Sequence, residues 1–167
     1  MNTARALVLC TLAAVGACHQ DSGTPPPPGA PSVPVPVVAK KGPGAEQLTT
    51  GMVEAANQGK SQLPVRLKFD LRQRPSIGKP LDIDVAVLPQ IDASSGDILV
   101  AGGDGLTLEA GASRIDLPAL ETGQVYRQVL KVTPSAEGVL LLSLTVSLKH
   151  DDQTDSRAFS IPLIVER

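Results

Sequence analysis

The sequence predicts an all-β protein: one antiparallel β-sandwich of about seven or eight strands at residues 61–167, behind an export segment and a Pro-rich tether. Three observations predict it. Apolar residues recur with a period of two in four runs: Val65, Leu67, Phe69 and Leu71; Leu81, Ile83, Val85 and Val87; Leu140, Leu142, Leu144, Val146 and Leu148; Phe159, Ile161, Leu163 and Val165. Successive side chains of a strand point to opposite faces, so each run offers one face to a core and one to water. The breaks are built from turn-forming residues, as in residues 74–78, 94–96, 102–105, 122–123, 134–138 and 150–155. Finally, 15 Gly and 15 Pro among 167 residues disfavour long helices, and 2% aromatics leave an aliphatic core.

In chain order, residues 1–17 read as an export signal. Arg5 is the one cation, and residues 6–15 form an apolar run of h-region length. That run is too short to span a bilayer, which takes about 20 apolar residues. It ends Val15-Gly16-Ala17-Cys18, which resembles the lipobox of bacterial lipoproteins. The resemblance implies a diacylglyceryl group on the Cys18 thiol and, after cleavage, an N-acyl chain on its amine. Several acyl chains anchor stably where a single one is marginal. Cys10 follows Leu9 with no small-residue pair and belongs to the apolar run. His19 rather than Asp follows Cys18, which by resemblance to enterobacterial sorting favours the outer membrane, facing the periplasm. Cleavage would leave Cys18 as the only cysteine, so no disulfide is expected, and would move the net charge from −2 to −3 by removing Arg5.

Residues 18–44 carry eight of the 15 prolines and read as a disordered tether that holds a domain away from a membrane. The alternative for Val33-Pro34-Val35-Pro36-Val37, a Pro-rich recognition ligand, lacks a basic anchor before Lys40. Residues 45–60 read as a short amphipathic helix or linker. Leu48, Met52, Val53 and Ala56 share one helical face, with Gly51 inside the run and Gly59 as a stop.

Within residues 61–167, weaker strands are expected at 97–101, 105–109, 113–117 and 124–133. Pro162 in the last strand requires a free edge or a bulge there. The strand count and spacing resemble the immunoglobulin-like sandwiches of bacterial envelope proteins, although the two core cysteines and core Trp of antibody domains are missing. The whole layout resembles an uncharacterised family of proteobacterial lipoproteins, notably in QVYRQVLK (124–131) and VSLKHDDQTDSRAFSIPLIV (146–165). That resemblance implies a fold and a location and no activity.

Chemistry-bearing patterns are sparse. A net charge of −2 argues against nucleic acid as a partner. There is no G-x-S-x-G beside His150, and the other histidine, His19, lies in the tether. Oxygen ligands at Asp151, Asp152 and Asp155 are weak cation candidates without EF-hand spacing, and Asp92, Asp97 and Asp104 are weaker still. Gly102-Gly103-Asp104-Gly105 lacks the lysine and helix of a phosphate loop. Asp82 and Asp84 share a strand face in the manner of a glycosidase pair, but read as a wet face. Arg66, Lys68, Arg72, Arg74 and Lys79 make a cationic strip suited to an anionic surface or to keeping sheet edges apart. No catalytic set, metal or other cofactor is expected. The sequence therefore predicts a non-enzymatic structural or protein-interaction module, anchored in the envelope by its lipid and engaging an envelope protein. Alternatives are a glycan- or peptidoglycan-binding module, with Tyr126 as its one candidate platform, or an accessory subunit joined by strand addition.

Overall fold

The computed structural model describes residues 37–38 and 44–166; Cys18, the export segment and most of the Pro-rich stretch lie outside them. In chain order the elements are β1 (Val37–Val38), α1 (Ala45–Leu48), β2 (Val53–Glu54), β3 (Ala56–Gln58), β4 (Val65–Leu71), β5 (Leu81–Pro89) and β6 (Ser95–Gly102). They continue with β7 (Leu106–Leu108), β8 (Arg114–Leu117), β9 (Tyr126–Pro134), β10 (Gly138–His150) and β11 (Gln153–Val165). All pairings between these strands are antiparallel, and they form two sheets. One has the order β1-β9-β5-β4-β2 with β7 also on β9; the other is β3-β11-β10-β6-β8.

The inward phase of the period-two pattern supplies the core between them. Leu67, Ile83, Leu130, Leu142, Leu144, Ile161 and Leu163 are all sealed from solvent. Both Phe residues and the single Tyr join them. The six long strands, β4-β5-β9 facing β11-β10-β6, follow the A-B-E and G-F-C orders of an immunoglobulin-like sandwich. β7 extends the first sheet and β8 the second.

The first strands differ from the sequence expectation. The helix stops after four residues, because the Thr49 and Thr50 hydroxyls donate to the Ala45 and Glu46 carbonyls and Gly51 turns left-handed at φ +85°. Leu48 and Met52 pack on Ala86 and Leu88 of the first sheet's outer face and on Val125 just before β9. Val53 and Ala56 instead lie in strands and are exposed. β2 pairs with β4 and β3 with β11, so residues 53–58 pass from one sheet to the other and close the seam between β4 and β11. The sandwich therefore begins before residue 61. Val37 and Val38 pair with Arg127 and Tyr126, so a part of the expected tether is an edge strand.

Two turn details have physical causes. His150 pairs with Gln153, leaving Asp151 and Asp152 as a two-residue hairpin with φ of 45° and 62°. This is the type I′ geometry that matches strand twist, and Asp tolerates it better than most residues. Asp155 consequently sits within β11 and not in the turn. Pro162 lies opposite Leu141, whose carbonyl bonds Gly103 on the far side of β10. Backbone alternation then turns the Pro162 nitrogen away from β10, beyond the reach of the short β3, so its missing N–H costs no ladder bond.

Gln128 is the oddity of the core. It faces inward opposite Val85, is buried, and its Nε2 has no hydrogen-bond partner among the described residues. Gln128→Leu is expected to raise unfolding free energy by about 1–2 kcal/mol, because an unmet buried donor is replaced by an apolar side chain of similar size. Urea titration checks the sign; a loss of stability would mean that the amide is paired.

Candidate interaction surface

Beyond the core, the second sheet turns Val139, Leu141, Ser143 and Thr145 of β10 outward. Register sets Val139 against Ile164 and Leu141 against Pro162 on β11, and Ser143 against Ala101 and Thr145 against Leu99 on β6. Val139 is 66% exposed, Ile164 65%, Leu141 47% and Leu99 45%; Pro162 and Ala101 are exposed too. No charged side chain interrupts these eight positions. Charge returns at Arg114, opposite Leu99, and at Asp97 opposite Ser147. The outward face of an antiparallel sheet is ordinarily polar, so this uncharged apolar patch is the departure that makes the face a candidate interaction surface. The alternation rule sets Leu141 and Ile164 on a wet face and does not mark them as a site. The signal that finds them is the continuity of Val139-Leu140-Leu141-Leu142 and Ile161-Pro162-Leu163-Ile164-Val165, runs apolar on both phases.

The cationic strip does not stand free. The Arg66 guanidinium donates to both Glu54 carboxylate oxygens, at 3.1 and 2.7 Å, and that of Arg72 to both of Asp84, at 2.7 and 2.8 Å. Lys68 Nζ donates to the buried Thr49 hydroxyl at 3.0 Å. Arg74 and Lys79 are exposed in the β4–β5 loop without an ion pair among the described residues. Cross-strand and adjacent-strand carboxylates thus consume part of the charge that the sequence offers to an anionic surface or to keeping sheet edges apart. Asp84 is held by Arg72, so it does not form a carboxylate pair with Asp82.

These pairs predict an acid limb. The Arg72 bond holds the Asp84 carboxyl below its ordinary value, and the Arg66 bond does the same for Glu54. Carboxyls depressed in the folded state contribute stability above their unfolded values near 4, and lose it as pH falls through the folded values. Urea midpoints compared at pH 7 and pH 3 are expected to show a smaller acid-induced drop in Asp84→Asn than in the native chain.

At the end of the sandwich where β10 turns into β11, a shallow open depression of about 820 Å³ gathers loop residues from both sheets. His150 Nε2 lies 2.9 Å from Asp155 Oδ2, and no serine or cysteine bonds the imidazole among the described residues. Across the depression, Asp92 Oδ1 accepts the Thr122 N–H and hydroxyl, at 2.7 and 2.8 Å, which lowers its carboxyl from the usual range. Asp151 and Asp152 point from the hairpin into water, and no three His, Cys, Asp or Glu side chains are grouped to hold a metal among the described residues. The cation candidates Asp151, Asp152 and Asp155 are therefore not assembled into one site. Asp97 lies on the second sheet 3.9 Å from Arg114, and Asp104 in the turn after β6, away from Asp92.

Tyr126 is 1% exposed, so its ring cannot stack on a sugar. Its hydroxyl instead accepts the Glu121 N–H at 2.8 Å and donates to the Ala119 carbonyl at 3.3 Å. Arg157, which the sequence reading did not single out, is the corresponding clasp at the seam. Its Nε donates to Asn57 Oδ1 at 2.9 Å, and its Nη1 to the carbonyls of Leu63 and Val65 at 3.0 and 3.2 Å.

Comparison with known proteins finds no matching protein family and no matching curated protein. Among solved structures, the chain is similar to the GAE domain of GGA2p from Saccharomyces cerevisiae, with a TM-score of 0.41 and 11% identity. That alignment covers 68% of this chain and 97% of the domain. It is also similar to the C-terminal domain of Wzt, with a TM-score of 0.40 and 17% identity over 71% of this chain and 80% of that one. The class that the two sheets define is an antiparallel β-sandwich of immunoglobulin-like strand order. Among the described residues, no helix is long and apolar enough to cross a membrane.

Proposed function

We propose that this chain is an exported, lipid-anchored envelope protein whose β-sandwich is a non-enzymatic module for engaging another envelope protein. One observation carries the module reading: the uncharged strip of Leu99, Val139, Leu141, Pro162 and Ile164 on a sheet face that would otherwise be wet. Val15-Gly16-Ala17-Cys18 supports the anchor, with the lipid on Cys18 and the outer membrane as its location.

The two halves of the proposal are tested separately. Cys18→Ser is expected to move the protein from the detergent phase to the aqueous phase on Triton X-114 partitioning of native envelopes, and no movement would overturn the anchor. For the module, a photocrosslinking side chain at Leu141 is expected to yield an adduct of defined mass in intact cells. The same probe at Lys131, on the outer face of the other sheet, is expected to yield none. No adduct from Leu141, or equal adducts from both positions, would overturn the interaction reading.

A further inference from the structure

β8 is the outermost strand of the second sheet, with β6 on its inner side. The Val100 N–H donates to the Ser113 carbonyl at 2.9 Å, one position beyond the pairing of Leu99 with Arg114. Backbone groups alternate in direction along a strand, so Ile115 and Leu117 are turned to β6, while Arg114 and Asp116 turn their N–H and C=O to the outer edge. Among the described residues no backbone group bonds them there. A ladder on this edge has natural ends. Ala112 gives its N–H to the Glu109 carbonyl at 3.0 Å, and Pro118 has none to give.

Charge along an edge strand ordinarily keeps copies of a protein apart, but here the sign alternates. Arg114 and Asp116 are both exposed. The Arg114 Nε donates to Asp116 Oδ1 at 3.2 Å, and its Nη2 lies 3.9 Å from Asp97 Oδ1. Asp97 stands directly opposite Asp116 on β6. One cation thus serves two carboxylates, and Asp116 stays attractive to a second. An antiparallel copy of β8 supplies it. Only residues with outward backbone groups exchange bonds across this edge. Setting Arg114 against Arg114, or Asp116 against Asp116, opposes like charges, which destabilises a directly facing pair. The register that opposes unlike charges puts Arg114 of each copy against Asp116 of the other. Ala112 then meets Pro118, so the ladder stops where its donors stop.

We propose that β8 is a self-association edge, on which a second copy of this chain adds antiparallel with Arg114 and Asp116 paired reciprocally. The two Ile115 residues then lie abreast on a two-fold axis normal to the sheet. Both copies consequently turn the face that carries Leu99, Leu141 and Ile164 to the same side. So short an edge makes a weak, reversible pair. The pairing is independent of the lipid and of what the apolar strip engages.

Residue-resolved amide exchange, read by NMR on the full chain in mild detergent, tests it. Over a roughly hundredfold rise in protein concentration, the Arg114 and Asp116 N–H groups are expected to slow by about threefold or more. The Ile115 N–H, turned to β6, is expected to be unchanged. Arg114→Asp and Asp116→Arg, both at exposed positions, are each expected to lose the concentration dependence, because each sets like charges against one another in this register. An equal mixture of the two variants is expected to regain it, since an acidic edge then faces a basic one. Fast exchange at every concentration overturns the proposal. So does slow exchange at every concentration, which would give the edge to another part of the same chain. Concentration dependence that survives in either variant alone, or a mixture that fails to regain it, also overturns it.

Discussion

Tyr126→Ala is expected to destabilise the sandwich by roughly 3–5 kcal/mol, as for other large buried aromatics. The ring fills the core at the start of β9, and the hydroxyl joins Glu121 and Ala119 on the segment leading there from β8. That segment is also tied to the β5–β6 connection, since Ala93 and Leu120 exchange both backbone bonds, at 2.9 and 2.8 Å. The arrangement has the hydrogen-bonding logic of a tyrosine corner, in which a buried hydroxyl pins the backbone a few residues upstream. Tyr126→Phe separates the contributions. It keeps the ring and removes the acceptor of the Glu121 N–H, for an expected loss of about 1–3 kcal/mol. Urea unfolding should show a lower midpoint with an unchanged slope in both variants. A Phe variant as stable as the native chain would show that the ring alone holds the corner.

Arg157→Met is expected to cost about 2–4 kcal/mol, from the loss of three hydrogen bonds made by a charged donor. The residue occupies the inward phase of β11 at the seam, opposite buried Val146, with its guanidinium 5.5 Å from the centre of the Phe159 ring. It joins β3, the β3–β4 connection and β4 where the two sheets would otherwise part. Arg157→Lys keeps the charge but not the fork that reaches two directions at once, so it should recover less than half of the loss. A double-mutant cycle with Asn57→Ala is expected to give a coupling of about 0.5–1 kcal/mol. Loss of the same size in Met and Lys variants would assign the effect to the fork; no loss in either would remove Arg157 from the stability of the seam.

Strand positions were legible because a half-buried strand writes its burial into every second residue. The expected strands at 97–101, 105–109, 113–117 and 124–133 appear as β6 to β9 within a few residues. The amphipathic helix or linker expected over residues 45–60 is helical only to Leu48, because the same spacing that makes a helical face also occurs by chance across two short strands, and Gly51 marks the boundary. The site was harder to read. Arg66 and Arg72 look free in one dimension, yet Glu54 and Asp84, each 12 residues distant, reach them across neighbouring strands. Arg157 meets partners more than 90 residues away, a separation at which no local pattern gives a signal.

Period-two hydrophobicity and turn chemistry, both properties of neighbouring residues, were sufficient to determine that the chain forms an antiparallel sandwich and roughly where each strand runs. Tertiary structure alone decided which cations were already paired, that Tyr126 lay inside, and that two doubly apolar runs met on one outer face. Those outcomes depend on which strands become neighbours, and strand order is set by packing the whole sheet and not by any stretch of sequence within it.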